Sequence, residues 1–200
     1  MSMHKSVVWL TQVVTYGVFS IPFRLLFKIR RKGSCGFAKP CIIASNHTAR
    51  LDPFLVVFSL SIADFLRIIP IRFITADIYL RDPFSKLFLL PLGCVSTEGK
   101  VLHRASALLD QGHSLYIFPT GKIKRKKPKV GVAYLERAAS NAQIIPVHIR
   151  GSDRISFGTV FSRESLVTVT FHPPFRHDSF PDDLQPLAND VMRRIHGTRH

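Results

Sequence analysis

Cysteine is scarce in this chain: Cys35, Cys41 and Cys94 are the only three among 200 residues. An odd number without C-x-x-C spacing indicates neither a disulfide framework nor a zinc site, and a reducing, cytosolic face is the simplest setting. Acidic side chains are also few, 13 Asp plus Glu against 28 Lys plus Arg, leaving a formal charge of +15. The sequence pI is about 10.4. A surplus of that size attracts acidic membranes, nucleic acids or polyanionic cofactors. His103, His113, His148 and His172 lack a metal-ligand spacing, so no metal is expected. No internal repeat or low-complexity segment occurs, and the length suits one domain of roughly 150 to 200 residues with an N-terminal appendage.

Short apolar runs alternate with longer helical patterns. Cys41 to Ser45, Arg72 to Ala76, Leu115 to Phe118, Ile144 to Ile149 and Leu166 to Phe171 read as strands. The middle ones are almost continuously apolar, as buried strands are. Pro53 to Phe65, Pro83 to Leu90, Lys100 to Gln111, Val130 to Asn141 and Asp182 to Ile195 read as helices. This alternation predicts an α/β sandwich with a largely parallel or mixed central sheet flanked by helices.

Ser6 to Phe23 forms an uncharged run of 18 residues that includes Val7, Val8, Trp9, Leu10, Val18 and Phe19. It sits at the lower limit for spanning a hydrocarbon core, which takes about 20 residues, and Thr11, Gln12, Thr15 and Pro22 weaken it further. Spanning and interfacial placements both fit, and an ordinary buried core helix is the third reading. Arg24, Lys28, Arg30, Arg31 and Lys32 follow the run, whereas His4 and Lys5 precede it. The asymmetry puts the following domain on the cytoplasmic face. With that charge order and no small-residue cleavage site, a cleaved signal peptide does not fit. Residues 1–34 are therefore expected to associate with the membrane and 35–200 to form the main domain.

His47 and Asp52 stand five positions apart in Ser45-Asn46-His47-Thr48-Ala49-Arg50-Leu51-Asp52-Pro53-Phe54, between an apolar run and a Pro-started segment. Imidazole is the side chain best placed to accept a proton at neutral pH, and a carboxylate can fix its tautomer. On one intact helix, positions five apart face different ways, so the pair needs non-helical backbone at Thr48-Ala49-Arg50. In the alternative reading Asp52 is only an N-cap, with Pro53 at the first helical position.

Three further segments follow in order: Gly93-Cys94-Val95-Ser96-Thr97-Glu98-Gly99, Phe118-Pro119-Thr120-Gly121-Lys122-Ile123, and Ile144-Ile145-Pro146-Val147. Together with Asn46, His47 and Asp52 the set resembles the glycerolipid acyltransferase family, whose first motif reads N-H-x-x-x-x-D. The resemblance covers roughly residues 35 to 175 and implies the α/β sandwich already expected. It also implies acyl transfer from acyl-CoA or acyl carrier protein to a lysophospholipid hydroxyl, with a lysophosphatidic acid-like acceptor and no bound cofactor. The second motif departs, with Gly99 where the family has arginine and Lys100 one place late. In the third, Thr120 replaces glutamate and Ile123 stands at the arginine position, with Lys122 and Lys124 able to replace the missing charge. The Gly121-Lys122-Ile123 ending is similar to that of tafazzin-like transacylases, which keep the glutamate. A transacylase and a catalytically silent membrane-binding relative are the alternatives.

The site implied by the resemblance has His47 as general base and Asp52 as its orienter. Asn46, Lys100, Thr120, Gly121, Lys122, Lys124 and Arg125 are expected on the substrate side. Lys122, Lys124, Arg125, Lys126, Lys127 and Lys129 put six basic residues into eight positions. They are placed to meet substrate phosphates, although charge runs are usually solvated loops. Nucleic acid is a poor fit, because no aromatics interleave the run and no RNP or zinc-finger signature occurs. Phe54 to Phe58 can wall an acyl groove or serve as plain core.

Overall fold

A computed structural model describes residues 3–33, 36–123, 125, 127–139, 141–155 and 166–197. Cys35, Lys124 and Lys126 lie outside them. In chain order the elements are α1 (Lys5–Leu26), β1 (Arg30–Lys32), β2 (Cys41–Ser45), α2 (Asp52–Ser59), α3 (Ile62–Ile68) and β3 (Ile71–Thr75). Then come α4 (Ile78–Arg81), α5 (Pro83–Leu89), β4 (Cys94–Ser96), α6 (Val101–Asp110), β5 (Ser114–Ile117) and α7 (Gly131–Ala138). The chain continues through β6 (Gln143–Arg150), β7 (Thr168–Phe171) and α8 (Gln185–His196).

One sheet of seven strands runs in the order β1-β7-β6-β2-β5-β3-β4. All its pairings are parallel except β6 with β7, so the α/β expectation holds in its mixed form. Every residue of β2 and β5 is buried, which follows from strands covered on both faces by helices. One apolar cluster gathers α1, α2 and α3 against the sheet, and a second gathers α6, α7 and α8.

One expected helix is split, and three short elements, β1, α4 and β4, were not read from the sequence. The helix expected over Pro53 to Phe65 is broken at Leu60 and Ser61 into α2 and α3. Ser61 explains the break: it is extended, and its side chain accepts from the Asp64 amide as a helix N-cap. The strands β1 and β4, three residues each, were too short for a periodic pattern to reveal. β1 lies within residues 1–34 and pairs with β7, so part of that segment belongs to the sheet.

α1 is joined to the sheet by a polar face. Its buried residues, Val8, Gln12, Tyr16 and Ser20, recur every four positions and form one stripe. Gln12 donates to the Ile71 and Leu92 carbonyls and accepts from the Ile71 amide. Tyr16 donates to the Leu60 carbonyl, and Arg24 donates to the Phe58 carbonyl at the end of α2. Gly93 is the contact point beneath: its φ is +95°, and a Cβ there would come within 2.6 Å of the Ile71 carbonyl oxygen. Only glycine fits that approach.

On β3, Arg72 is almost fully buried. Its Nε donates to His113 Nδ1 at 3.3 Å, and one Nη donates to the Met3 carbonyl. Burial, with the positive charges of Arg72, Lys5 and Lys39, pushes His113 down to about 4. An unfolded histidine takes its proton near ~6.5, so between these values the unfolded state binds more protons. Stability is therefore lost as pH falls from about 6.5 to about 4 and levels off below. In His113→Gln the amide oxygen still accepts from Arg72, and the variant is expected to lack about 3 kcal/mol of that acid loss. Urea unfolding at neutral and acid pH measures it; equal acid losses in both proteins would remove His113 as the cause.

Candidate active site

The C-terminal ends of neighbouring strands place the key groups, as open α/β sheets do with ligand sites. His47 lies two residues beyond β2, and Phe118 one residue beyond β5. Their registers are locked by Ala44 opposite Ile117. The two rings stack with centroids 3.7 Å apart and 13° between planes. The third motif thus supplies the wall against which the imidazole rests.

Asp52 opens α2, and the helix N-cap is Leu51, not Asp52. The carboxylate instead reaches back over the preceding turn. Its Oδ2 accepts from the Thr48 and Ala49 amides at 2.7 and 2.8 Å and lies 3.1 Å from His47 Nδ1. The turn at Thr48 to Leu51 is the non-helical backbone that the five-residue spacing required. Asp52 is wholly buried, whereas the His47 side chain keeps 16 % of its surface exposed. With Nδ1 donating to the carboxylate, Nε2 is left as the proton acceptor.

His47 lines a cavity of about 710 Å³, within the size range of small-molecule sites. Its apolar walls include Phe54, Val57, Phe58, Phe65, Phe73 and Leu92. Phe54 to Phe58 divide between roles: Leu55 and Val56 are fully buried core, while Phe54, Val57 and Phe58 face the cavity. Arg50, Lys122 and Lys129 also line it, and among the described residues no carboxylate does. Cys94 also lines it, but burial pushes its thiol up to about 11. At neutral pH the cavity therefore offers no thiolate nucleophile.

The expected site residues separate into groups. His47, Asp52, Gly121 and Lys122 come together. Asn46 uses its whole amide on β6, donating to the Ile149 carbonyl and accepting from the Ile149 amide, so it aligns the loop that carries His47. Thr120 is buried and donates to the Lys122 carbonyl. Lys100 and Arg125 are exposed and line no part of the cavity. Lys124 lies outside the described residues.

Sequence reasoning did not single out Arg50, and it named Phe118 only as part of the third motif and Lys129 only within the basic run. Arg50 sits inside the first motif, where it reads as a spacer. Lys129 belongs to the basic run, but its amide donates to the Pro119 carbonyl and folds the loop back over Gly121. The Lys129 Nζ lies 3.5 Å from where a Gly121 Cβ would be.

The Acyltransferase family model matches residues 27–150. No curated protein matches the chain. Among solved structures, the chain is similar to the 1-acyl-sn-glycerophosphate (LPA) acyltransferase PlsC from Thermotoga maritima, with a TM-score of 0.63 at 16 % identity. That alignment covers 96 % of this chain and 94 % of the other, a likeness of fold.

Proposed function

The chain belongs to the Acyltransferase family, and on that premise we propose that it moves a fatty acyl group from a thioester to the hydroxyl of a lysophospholipid bearing a phosphate. The observation that carries the reading is the Asp52-held imidazole lining a cavity whose walls are largely apolar and whose charged lining residues are all cations. The acceptor oxygen attacks the thioester carbonyl as His47 Nε2 takes its proton. The tetrahedral intermediate then expels the thiolate, which recovers that proton as the carbon–sulfur bond breaks. No covalent enzyme intermediate is needed, consistent with the neutral Cys94.

Acyl-CoA and acyl carrier protein both supply the donor chemistry. The acceptor phosphate falls to Arg50, Lys122 and Lys129, with Gly121 letting the backbone come close. These cations stand in for the arginines missing from the second and third motifs. The acceptor class is that of the Thermotoga maritima enzyme, a 1-acyl-sn-glycerophosphate acyltransferase. The working surface is an anionic membrane on its cytoplasmic face. α1 is long and apolar enough to cross a bilayer by length and composition, but one stripe of it is bonded to the domain, which favours an interfacial position.

The test pairs a long-chain acyl-CoA with lyso-glycerolipids that carry or lack a phosphate, following thiol release and acylated product. Phosphate-bearing acceptors are expected to react. Lys122→Ala with Lys129→Ala is expected to raise their KM by about tenfold or more. Product from a phospholipid donor without thioester would identify a transacylase. No product with any donor would leave a silent membrane-binding relative.

A further inference from the structure

α5 buries none of its residues. Phe84 and Leu87 are 71 % and 69 % exposed, and Ile78 on α4 is 72 % exposed. A short helix that turns phenylalanine and leucine outward has no core of its own, and such a patch marks an interaction surface. α1 has the same property on a larger scale: its inner stripe is partly polar, while Leu10, Val14, Val18, Ile21 and Leu25 face outward. The two elements adjoin through the inner stripe of α1, because Gln12 donates to the Leu92 carbonyl just after α5, and a Cβ on Gly93 would meet Val8 at 3.0 Å. Both elements also wall the cavity, Thr15 and Tyr16 from α1 and Tyr79, Leu89 and Leu92 from the α4–α5 segment.

We propose that α4 and α5 insert into the membrane beside α1, and that the acyl chain enters the cavity between them directly from the lipid. The entry step rests on the acyltransferase reading; insertion does not. Charge complementarity selects lipid as the occupant. The chain carries +15, and exposed Lys86 lies among the apolar residues of α5, where a basic side chain reaches lipid headgroups. The end of α5 also adjoins α1, the element already suited to a bilayer.

Trp9 is the sole tryptophan, so Phe84→Trp in a Trp9→Phe background reports on α5 alone. Vesicles of equimolar phosphatidylglycerol and phosphatidylcholine with brominated chains are expected to quench this emission as strongly as that of Trp9 in the native chain. Phe84→Asp with Leu87→Asp is expected to lower the vesicle-bound fraction by about tenfold. Turnover of vesicle-borne acceptor should fall with it, while turnover of a short-chain, water-soluble acceptor stays unchanged and reports an intact fold. Unquenched emission from vesicle-bound protein would overturn insertion, as would failure of the native chain to bind vesicles. A dimer in light scattering that the aspartate variant dissolves would assign the face to a second copy and overturn it too. Quenching without turnover of any acceptor would leave insertion standing and remove the acyltransferase reading.

Discussion

Replacing His47 by alanine is expected to lower kcat by about 10³-fold to 10⁴-fold, the usual worth of a positioned general base. KM for either substrate should change little, because the cations and the apolar walls remain. The control is stability. The ring stacks on Phe118, so its loss costs about 1 kcal/mol, too little to unfold a domain of this size. Asp52 keeps its two amide donors from Thr48 and Ala49 in the variant, so the buried carboxylate is not stranded. A large fall in kcat with a nearly unchanged melting temperature therefore assigns His47 to chemistry. Undiminished turnover would remove it as the base. A melting temperature that collapses together with activity would assign the ring a structural role.

Most of the fold was legible because buried parallel strands are continuously apolar and the helices between them are periodic. β2 and β5 read directly for that reason. The break at Leu60 and Ser61 did not, because Ile62, Phe65 and Ile68 continue an apolar pattern while the Ser61 cap acts through hydrogen bonds that periodicity ignores. The polar residues of α1 misled in the same way. Gln12 weakened the apolar run on paper, yet it faces inward and bonds the Ile71 and Leu92 backbone, so the outward face is more apolar than the composition implies.

The juxtaposition of His47 and Asp52 was legible from spacing and residue type, but its surroundings were not. Asn46 belongs to the motif because its amide extends the contact between β2 and β6, a purpose no sequence pattern states. Lys100 lay near the position of the missing arginine in the sequence, but it sits on the outer surface at the start of α6. The cationic side is instead assembled from distant segments, Arg50 from the first motif and Lys129 from a loop closed on Pro119. Closure of that kind is a tertiary event, and position along the chain does not encode it.

Asp52→Asn is the second substitution with a large expected effect, and it separates charge from shape. The amide oxygen can take the Oδ2 position and still accept from Thr48, Ala49 and His47 Nδ1, so the turn keeps its bonds and stability should fall by only about 1 to 2 kcal/mol. The imidazole loses its anionic partner. Its protonated form, needed once the acceptor proton has moved, is no longer stabilised by a buried carboxylate 3.1 Å away. The amide nitrogen does not take that position, where it would face the Thr48 and Ala49 donors, so the ring keeps its tautomer and loses only the charge. That loss acts on the transition state, so kcat should drop by about 10²-fold to 10⁴-fold with KM little changed. Asp52→Ala should show a comparable loss of rate and, in addition, a larger loss of stability of about 2 to 3 kcal/mol, because the partly buried Thr48 and Ala49 amides lose their acceptor. Steady-state kinetics beside thermal melts of the two variants decide it. An asparagine variant that turns over like the native chain would reduce Asp52 to the architecture of the turn and leave His47 working without an orienting charge.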